Sequence, residues 1–225
     1  MRYAIIAAGE GSRLATEGID MPKPLVEVNG EPLIDRLIRI FADNHAEEIV
    51  VICNDKTPLV SRHLMKIQED GLNGRRIPLR FVVKSTPSSM HSFAELAPYL
   101  HDGPFCLTTV DTIFREEEFA GYIAHFLQSA ADGCMAVTDY IDDESPLYVA
   151  TDSQLRITVF HDTGEGDRYI SGGIYCLRPQ ALHTLDRCLR EGKSRMRNFQ
   201  RALVEDGLKL EACPFSKILD VDHAT

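Results

Sequence analysis

The sequence lacks the long apolar runs of membrane proteins. Its longest runs, such as residues 3–8, fall far below the ~20 residues that span a bilayer. The first run is also too short for the apolar region of a signal peptide, and Glu10 follows it before any cleavage site. We therefore expect a soluble protein of the cytoplasm with no membrane partner.

Positive charge is also scarce. The chain has 24 Lys and Arg against 34 Asp and Glu, which gives a formal net charge of −10. Binding to nucleic acids or anionic membranes without specificity needs a positive surface, so we expect neither partner. A small anionic substrate is still compatible, because a local group of Arg, Lys and backbone amides can outweigh the overall field.

The six cysteines include no closely spaced C-x-x-C pair. Five of them lie in apolar stretches typical of strands, where a free thiol behaves as a small hydrophobic side chain. We expect reduced core cysteines in a reducing compartment. The sequence contains no repeat, low-complexity tract or linker that would divide it. Its 225 residues are enough to bury the core of one domain, so we predict a single domain.

Segments typical of strands and helices alternate through the first half of the chain. Short apolar runs predict strands at 2–8, 48–53, 79–84 and 105–110. Helical periodicity predicts helices at 32–44, 59–69, 92–100 and 116–130. This order is typical of a mostly parallel sheet with helices on both faces.

The pattern changes after residue 133. Four strands with short connections are predicted at 134–140, 147–151, 155–160 and 169–177. Helices at 179–190 and 195–205 and short strands at 209–213 and 218–221 follow. We predict a single three-layer αβα domain of the α/β class over residues 1–225, with a mostly parallel mixed sheet. Residues 1–130 would form the nucleotide-binding half and residues 131–225 the substrate-facing half.

The segment after the first strand carries the strongest functional signal. Residues 7–14 read A-A-G-E-G-S-R-L, with two glycines one residue apart. Such a turn leaves backbone amides bare for phosphate oxygens, and ligands bind at this end of an open α/β sheet. The dinucleotide fingerprint would need glycine in place of Leu14, and the P-loop pattern is absent. The loop therefore predicts a phosphate site of another kind.

Two further segments complete a recognisable motif. Residues 21–25 read M-P-K-P-L, and residues 28–34 read V-N-G-E-P-L-I. Together with the glycine loop they resemble the signature of the nucleotidyltransferases that make nucleotide sugars. Matching segments follow in order: T-T-V-D-T at 108–112, I-S-G-G-I-Y at 170–175 and L-D-V-D-H at 219–223. The chain is similar to NDP-sugar pyrophosphorylases, which have the nucleotide-diphospho-sugar transferase fold, over nearly its whole length.

The resemblance implies attack by an acceptor's phosphate oxygen on the α-phosphorus of a nucleoside triphosphate, with release of pyrophosphate. Arg13 would bind the β- and γ-phosphates, and Lys23 would stabilise charge at the α-phosphate. The alternative for both is a pair of solvated loop cations. Other nucleotide contacts would come from Ala7, Ala8, Gly9, Glu10, Gly11, Ser12 and Ser89.

Two aspartates follow predicted strands and are candidate metal ligands. Asp111 follows the strand predicted at 105–110, and Asp222 follows the strand predicted at 218–221. Two carboxylates with phosphate oxygens form an Mg²⁺ site, so the resemblance implies Mg²⁺ as cofactor, with Asp220 as a reserve ligand. A lone aspartate at a strand end is otherwise a turn or helix cap.

The segment that should face the acceptor departs from the family. Sugar-phosphate enzymes tend to carry E-K-P after the strand predicted at 155–160, where this chain reads F-H-D-T, with Asp162 in place of lysine. Asp162 and Gly173 are the candidates for acceptor contact. Either another cation such as Arg168 or Lys217 replaces the lysine, or the acceptor is not a sugar 1-phosphate.

The acceptor therefore stays open at the level of sequence. An acidic pocket would suit phosphocholine and a cytidylyltransferase activity, whereas the cations of residues 193–199 would suit an anionic acceptor. Two other hypotheses are a metal-dependent glycosyltransferase, with the D-V-D at 220–222 as its motif, and a non-catalytic nucleotide-binding module. The expected partners are a nucleoside triphosphate and a small phosphorylated acceptor, with homo-oligomerisation left open.

Overall fold

A computed structural model of the chain describes residues 1–9, 21–164 and 166–221. These residues form thirteen strands: β1 (Arg2–Ala7), β2 (Glu27–Val28), β3 (Glu31–Pro32), β4 (Glu48–Cys53), β5 (Leu79–Val83), β6 (Phe105–Thr109), β7 (Thr112–Phe114), β8 (Gly133–Thr138), β9 (Tyr148–Thr151), β10 (Ile157–His161), β11 (Tyr169–Leu177), β12 (Leu210–Phe215) and β13 (Ile218–Asp220). Their helices are α1 (Leu33–Asp43), α2 (Pro58–Asp70), α3 (Ser89–Leu96), α4 (Glu116–Gln128), α5 (Ala181–Arg190) and α6 (Met196–Glu205).

Nine of the strands form one mixed sheet. The main order is β10-β9-β11-β6-β1-β4-β5, and β8 joins β11 and carries β12 on its other side. The pairings make seven strands run in one direction, and only β10 and β11 run in the opposite one among the described strands. The predicted α/β class and mostly parallel mixed sheet are confirmed.

Helices cover both faces of this sheet. Tyr3 and Ile5 of β1 pack on one face, in a core shared with α1, α2 and α4. Ala4 and Ile6 point to the other face and pack with α3, α5 and α6. Because both faces are buried, β1 reads as a continuous apolar run rather than as an alternating one.

Some boundaries differ from those predicted. The helix predicted at 92–100 begins at Ser89, because the Ser88 hydroxyl accepts a hydrogen bond from the His91 amide at 3.2 Å and caps it. The strand predicted at 105–110 ends at Thr109, so Asp111 lies in the tight turn that leads into β7. Among the described residues, no helix combines the length and the apolar character needed to cross a membrane.

Candidate active site

A cavity of about 590 Å³ opens where β1 and β6 end, beside the start of the glycine loop, and we name it the loop cavity. The carboxyl ends of parallel strands are where ligands bind in open α/β sheets. The wall is formed by strand ends, the segment around Lys23 and the segment before α3: Ile6, Ala7, Ala8, Gly9, Lys23, Pro24, Thr86, Pro87, Ser88, Ser89, Ser92, Thr109, Val110 and Asp111.

The first residues of the glycine loop are held from the end of β4. Asn54 Nδ2 donates hydrogen bonds to the carbonyl oxygens of Ala8, at 3.3 Å, and Gly9, at 3.2 Å. A Cβ built on Gly9 would meet no heavy atom of the described residues within 4 Å. The described start of the loop therefore presents backbone to the cavity without obstruction by another described side chain.

Lys23 and Asp111 form an ion pair in the lining of the loop cavity. Lys23 Nζ lies 3.3 Å from Asp111 Oδ2, and the two side chains are only 16 % and 17 % exposed. Lys23 begins a 3-10 turn between Pro22 and Pro24, which fix the backbone direction there. The P-K-P motif and a strand-end aspartate 88 residues later thus form one ion pair inside the cavity.

Hydroxyl groups order the wall before α3. Thr86 Oγ1 donates to the Ser88 carbonyl at 3.0 Å and lies 2.6 Å from Ser92 Oγ. Ser88 Oγ also lies 2.6 Å from His91 Nδ1. Each of these side chains fixes another, so Ser88 and Ser89 are held in place between two cavities.

The second cavity, of about 460 Å³, lies beyond that wall and shares Ser88, Ser89 and Thr109 with the first. We name it the bulge cavity, because the β8–β11 pairing is irregular beside it. Between Ser171 and Tyr175 β11 advances four residues while β8 advances two, from Val137 to Met135. The extra residues include Gly172 and Gly173, which both line the cavity.

The two glycines of the bulge are required for different reasons. Gly173 has φ +78°, a backbone conformation that favours glycine. A Cβ on Gly172 would lie 2.3 Å from Ile218 Cδ1 and 3.2 Å from the Ala136 carbonyl oxygen. The I-S-G-G-I-Y motif therefore lets β13 pack directly against β11 at the cavity.

A buried polar group forms one side of the bulge cavity. Gln200, only 3 % exposed, accepts a hydrogen bond from Ser171 Oγ at 3.0 Å and donates one to the Tyr175 hydroxyl at 3.2 Å. Burial and the nearby Asp220 carboxylate raise the pKa of Tyr175, so its hydroxyl stays protonated. The result is a rigid surface of neutral hydrogen-bonding groups.

Charged residues of both signs surround this surface. Asp142, Asp143 and Asp220 line the bulge cavity, as do Arg195 and Arg197 at the beginning of α6. A helix N-terminus carries partial positive charge, which adds to that of the two arginines. The lining of the cavity thus combines two cations at the beginning of α6 with three carboxylates that can accept hydrogen bonds.

Asp162 acts on this site through Arg197. Its carboxylate Oδ1 lies 2.7 Å from Arg197 Nη1 and 2.6 Å from Arg201 Nη2, and the two arginines lower the pKa of Asp162. Arg197 Nη2 also donates to the Ser145 carbonyl at 2.8 Å. Asp162 itself is not among the described residues that line either cavity, so it orients a cation rather than facing the space.

The two cavities collect most of the described site residues that the sequence predicts. Ala7, Ala8, Gly9, Lys23, Ser89 and Asp111 line the loop cavity, and Gly173 lines the bulge cavity. Predictions for Glu10, Gly11, Ser12, Arg13 and Asp222 fall outside the described residues. The described chain ends at Val221, whose amide donates to the Asp111 carbonyl at 3.0 Å.

The two cations considered as replacements for the family's lysine are engaged elsewhere. Arg168 Nη2 lies 3.2 Å from Asp139 Oδ2, and its side chain is 72 % exposed. Lys217 Nζ lies 4.6 Å from the centre of the Tyr140 ring. Neither lines the two cavities among the described residues.

Several residues of the site escaped the sequence analysis. Thr109 lies two positions before Asp111 and faces both cavities, and Gln200 lies inside the helix predicted at 195–205. The signal for Gln200 in the sequence is that a glutamine occupies an apolar position of an amphipathic helix. Ser171 and Tyr175 lie within I-S-G-G-I-Y, whose two glycines carry the stronger local signal.

Comparisons with known proteins agree with this geometry. The family model described as the MobA-like NTP transferase domain matches residues 3–205. The UTP–glucose-1-phosphate uridylyltransferase of Haloferax volcanii is 24 % identical over 188 residues, which are 81 % of this chain and 74 % of that protein.

A second relative is longer than this chain. The mannose-1-phosphate guanyltransferase of Schizosaccharomyces pombe is 25 % identical over 194 residues, 83 % of this chain, and the chain spans about half of its length (52 %). Among solved structures, a glucose-1-phosphate thymidylyltransferase from Bacillus anthracis, described as putative, superposes with a TM-score of 0.82. That match has 17 % identity and covers 99 % of this chain and 90 % of the other, and it shows a shared fold.

Proposed function

The chain belongs to the MobA-like NTP transferase domain family, and on that premise we propose that it couples a nucleoside triphosphate to a sugar 1-phosphate with release of pyrophosphate. The observation that carries the proposal is that the two cavities are adjacent and share lining residues. The loop cavity holds the Lys23–Asp111 pair, and it meets the bulge cavity at Ser88, Ser89 and Thr109. A triphosphate in the first and an anionic acceptor in the second would meet at this wall.

In this proposal the first half of the chain binds the triphosphate. Lys23 stabilises the charge that develops on the α-phosphate oxygens, which electrostatic catalysis requires. Gly9 and the strand ends leave room for the phosphates beside their backbone. Arg13, by the resemblance of its motif, binds the β- and γ-phosphates.

The donor set at Asp111 fits a hard cation such as Mg²⁺. Its carboxylate faces the loop cavity beside Lys23, and carboxylate and phosphate oxygens are the ligands Mg²⁺ prefers. Asp111 and Asp222 would hold the ion, which when bound neutralises charge on the triphosphate. Lys23 would then leave Asp111 for the α-phosphate, so the ion pair keeps both groups in place before substrate arrives.

The acceptor in this proposal is a phosphorylated sugar. Its phosphate binds Arg195 and Arg197 at the beginning of α6. Its hydroxyls bind the neutral hydrogen-bonding groups around Gln200 and the aspartates that line the same cavity. Positioning two anions for in-line attack is the main catalytic requirement, because no covalent intermediate is needed. The phosphate oxygen attacks the α-phosphorus as the bond to the pyrophosphate leaving group breaks.

Phosphocholine fits the bulge cavity less well. A quaternary ammonium is held by aromatic ring faces. Lys217 already lies over the Tyr140 ring, and Tyr175 is buried with its hydroxyl engaged. The Lys217 cation at one ring and the hydroxyl-binding groups around the other favour a polyol over a cationic headgroup.

The decisive experiment measures pyrophosphate release with Mg²⁺. The common nucleoside triphosphates are each combined with sugar 1-phosphates, cyclitol phosphates and phosphocholine. We expect release that requires one base and one sugar 1-phosphate, and none without acceptor. Release with phosphocholine alone would refute the acceptor assignment, and triphosphate binding without release from any pair would favour a binding module.

A further inference from the structure

A second cluster of reactive side chains lies away from both cavities. His125 of α4, Cys134 of β8, and Glu211 and Cys213 of β12 bring their nitrogen, sulfur and oxygen atoms within 4.8 Å of one another. Cys134 lies four residues before Thr138, which lines the bulge cavity, and this is about 13 Å along the strand. The cluster is therefore separate from the proposed active site.

Strand register explains how the cluster forms. Glu211 lies directly opposite Cys134 in the parallel β8–β12 pair, and Cys213 is two residues further on, so all three point to the same face. His125 comes down from α4, which covers that face, and its Nε2 lies 2.7 Å from Glu211 Oε2. Three elements distant in sequence thus deliver four ligand-type side chains to one point.

The chemistry of the group is unusual for packing alone. Cys134 Sγ lies 3.7 Å from Glu211 Oε2, so a carboxylate approaches the buried Cys134 thiol. Two thiols, an imidazole and a carboxylate this close together offer the sulfur, nitrogen and oxygen ligands that transition-metal cations bind in proteins.

We propose that His125, Cys134, Glu211 and Cys213 form a Zn²⁺ site that fastens α4 to the β8–β12 edge of the sheet. Two sulfurs, one imidazole nitrogen and one carboxylate oxygen are a complete tetrahedral ligand set for this ion. Bonds of about 2.0–2.3 Å separate tetrahedral ligands by about 3.3–3.8 Å, so the side chains need only small adjustments.

The surroundings provide access and support. A cavity of about 360 Å³ lined by His125, Glu211 and Cys213 connects the cluster to solvent. Ser129 Oγ donates to Glu211 Oε2 at 3.5 Å, and partners of this kind orient metal ligands. Binding of the ion would release the thiol protons to solvent. The ion would then hold together α4, β8 and β12, which hydrogen bonds join here.

The test is a titration of chelator-treated protein with Co²⁺, which replaces Zn²⁺ and absorbs light. We expect one equivalent to give a sulfur-to-cobalt charge-transfer band with the intense visible bands of tetrahedral cobalt, and Zn²⁺ to abolish both. Carboxylates such as Asp111 cannot produce the sulfur band, so binding at the active site is distinguishable. A titration without that band would overturn the proposal.

Variants assign the ligands. Cys213→Ser and the exposed His125→Ala should each lower Co²⁺ affinity at least about 100-fold, since outer partners alone cost about 10–100-fold. Cys188→Ser and His63→Ala are matched controls on other helices and should keep the spectrum. Zn²⁺ should raise the Tm of the wild type but not of His125→Ala. An unchanged sulfur band in both ligand variants would refute the assignment even if the protein binds metal.

Discussion

The loop cavity and the bulge cavity share a wall but are built differently. The first is formed by the ends of parallel strands and by backbone, and among the described residues its charged lining consists of Lys23 and Asp111. The second is formed by side chains beside an antiparallel irregularity, and five charged residues of the described chain line it: Asp142, Asp143, Arg195, Arg197 and Asp220. A site made of backbone and one ion pair suits the part of a substrate that is common to many relatives. A site made of side chains suits the part of the substrate that differs from one relative to another.

Lys23→Ala should have the largest effect, and it probes the first cavity. Removing the cation from the α-phosphate should lower kcat by about 10²–10³-fold, as loss of one electrostatic donor does elsewhere. Triphosphate affinity should fall much less, because other contacts bind the ground state. Steady-state kinetics and a binding titration separate the two, with Lys66→Ala on the outside of α2 as control. Equal, modest losses in both would indicate a binding module.

Arg195→Ala probes the second cavity and should be the next largest. Loss of a charged hydrogen bond to the acceptor phosphate costs about 1.5–3 kcal/mol, so the acceptor KM should rise by roughly 10- to 100-fold. The KM for the triphosphate should stay constant. If both KM values rise together, the division of labour between the cavities is wrong.

Gly172→Ala tests whether the glycine bulge is needed for packing. Its Cβ would lie 2.3 Å from Ile218 Cδ1, and overpacking of this kind costs about 1–3 kcal/mol. Denaturant unfolding measures the loss. Gly121→Ala is the matched control, because its Cβ meets no heavy atom of the described chain within 4 Å and a helix gains up to about 1 kcal/mol from this change. A neutral Gly172→Ala would mean that Ile218 moves aside without cost.

Asp162→Asn should have the smallest effect. We expect a few-fold rise in acceptor KM, because the ion pair between Asp162 and Arg197 is exposed. The variant keeps the side chain's shape but loses the charge that orients Arg197. Arg201 and Arg197 lower the pKa of Asp162, so the carboxylate stays ionised above its ordinary pKa of about 3.9 and the pairing weakens only as the pH falls below that value. The ratio of mutant to wild-type KM should therefore be constant between about pH 6 and 8. A ratio that changes within this pH range would show that the KM effect does not come from the charge of Asp162.

The sequence predicts the loop cavity better than the bulge cavity for a physical reason. Buried strands such as β1 and β4 are local apolar runs, and the glycine loop and P-K-P are contiguous motifs. Their meeting point follows from parallel strand order. The bulge cavity instead depends on contacts such as Arg197 with Asp162, 35 residues apart, which no local pattern encodes.

Asp162 illustrates that limit. In sequence it replaces a lysine and suggests an acidic pocket. In the folded chain it pairs with Arg197 and Arg201, and the cavity is lined both by the cations of α6 and by Asp142, Asp143 and Asp220. The sign of the field at a site depends on the sum over elements that fold together, so one substitution read alone does not fix that sign.

The irregular pairing of β11 has a consequence for how such pockets change over evolution. The strand carries two additional residues, an even number, so Ser171 and Tyr175 keep the same facing as Val137 and Met135. Insertion or deletion of residue pairs at this point would enlarge or shrink the pocket without turning the buried face of the strand to solvent. Substrate range can therefore drift in steps of two residues while the hydrophobic interior is inherited intact.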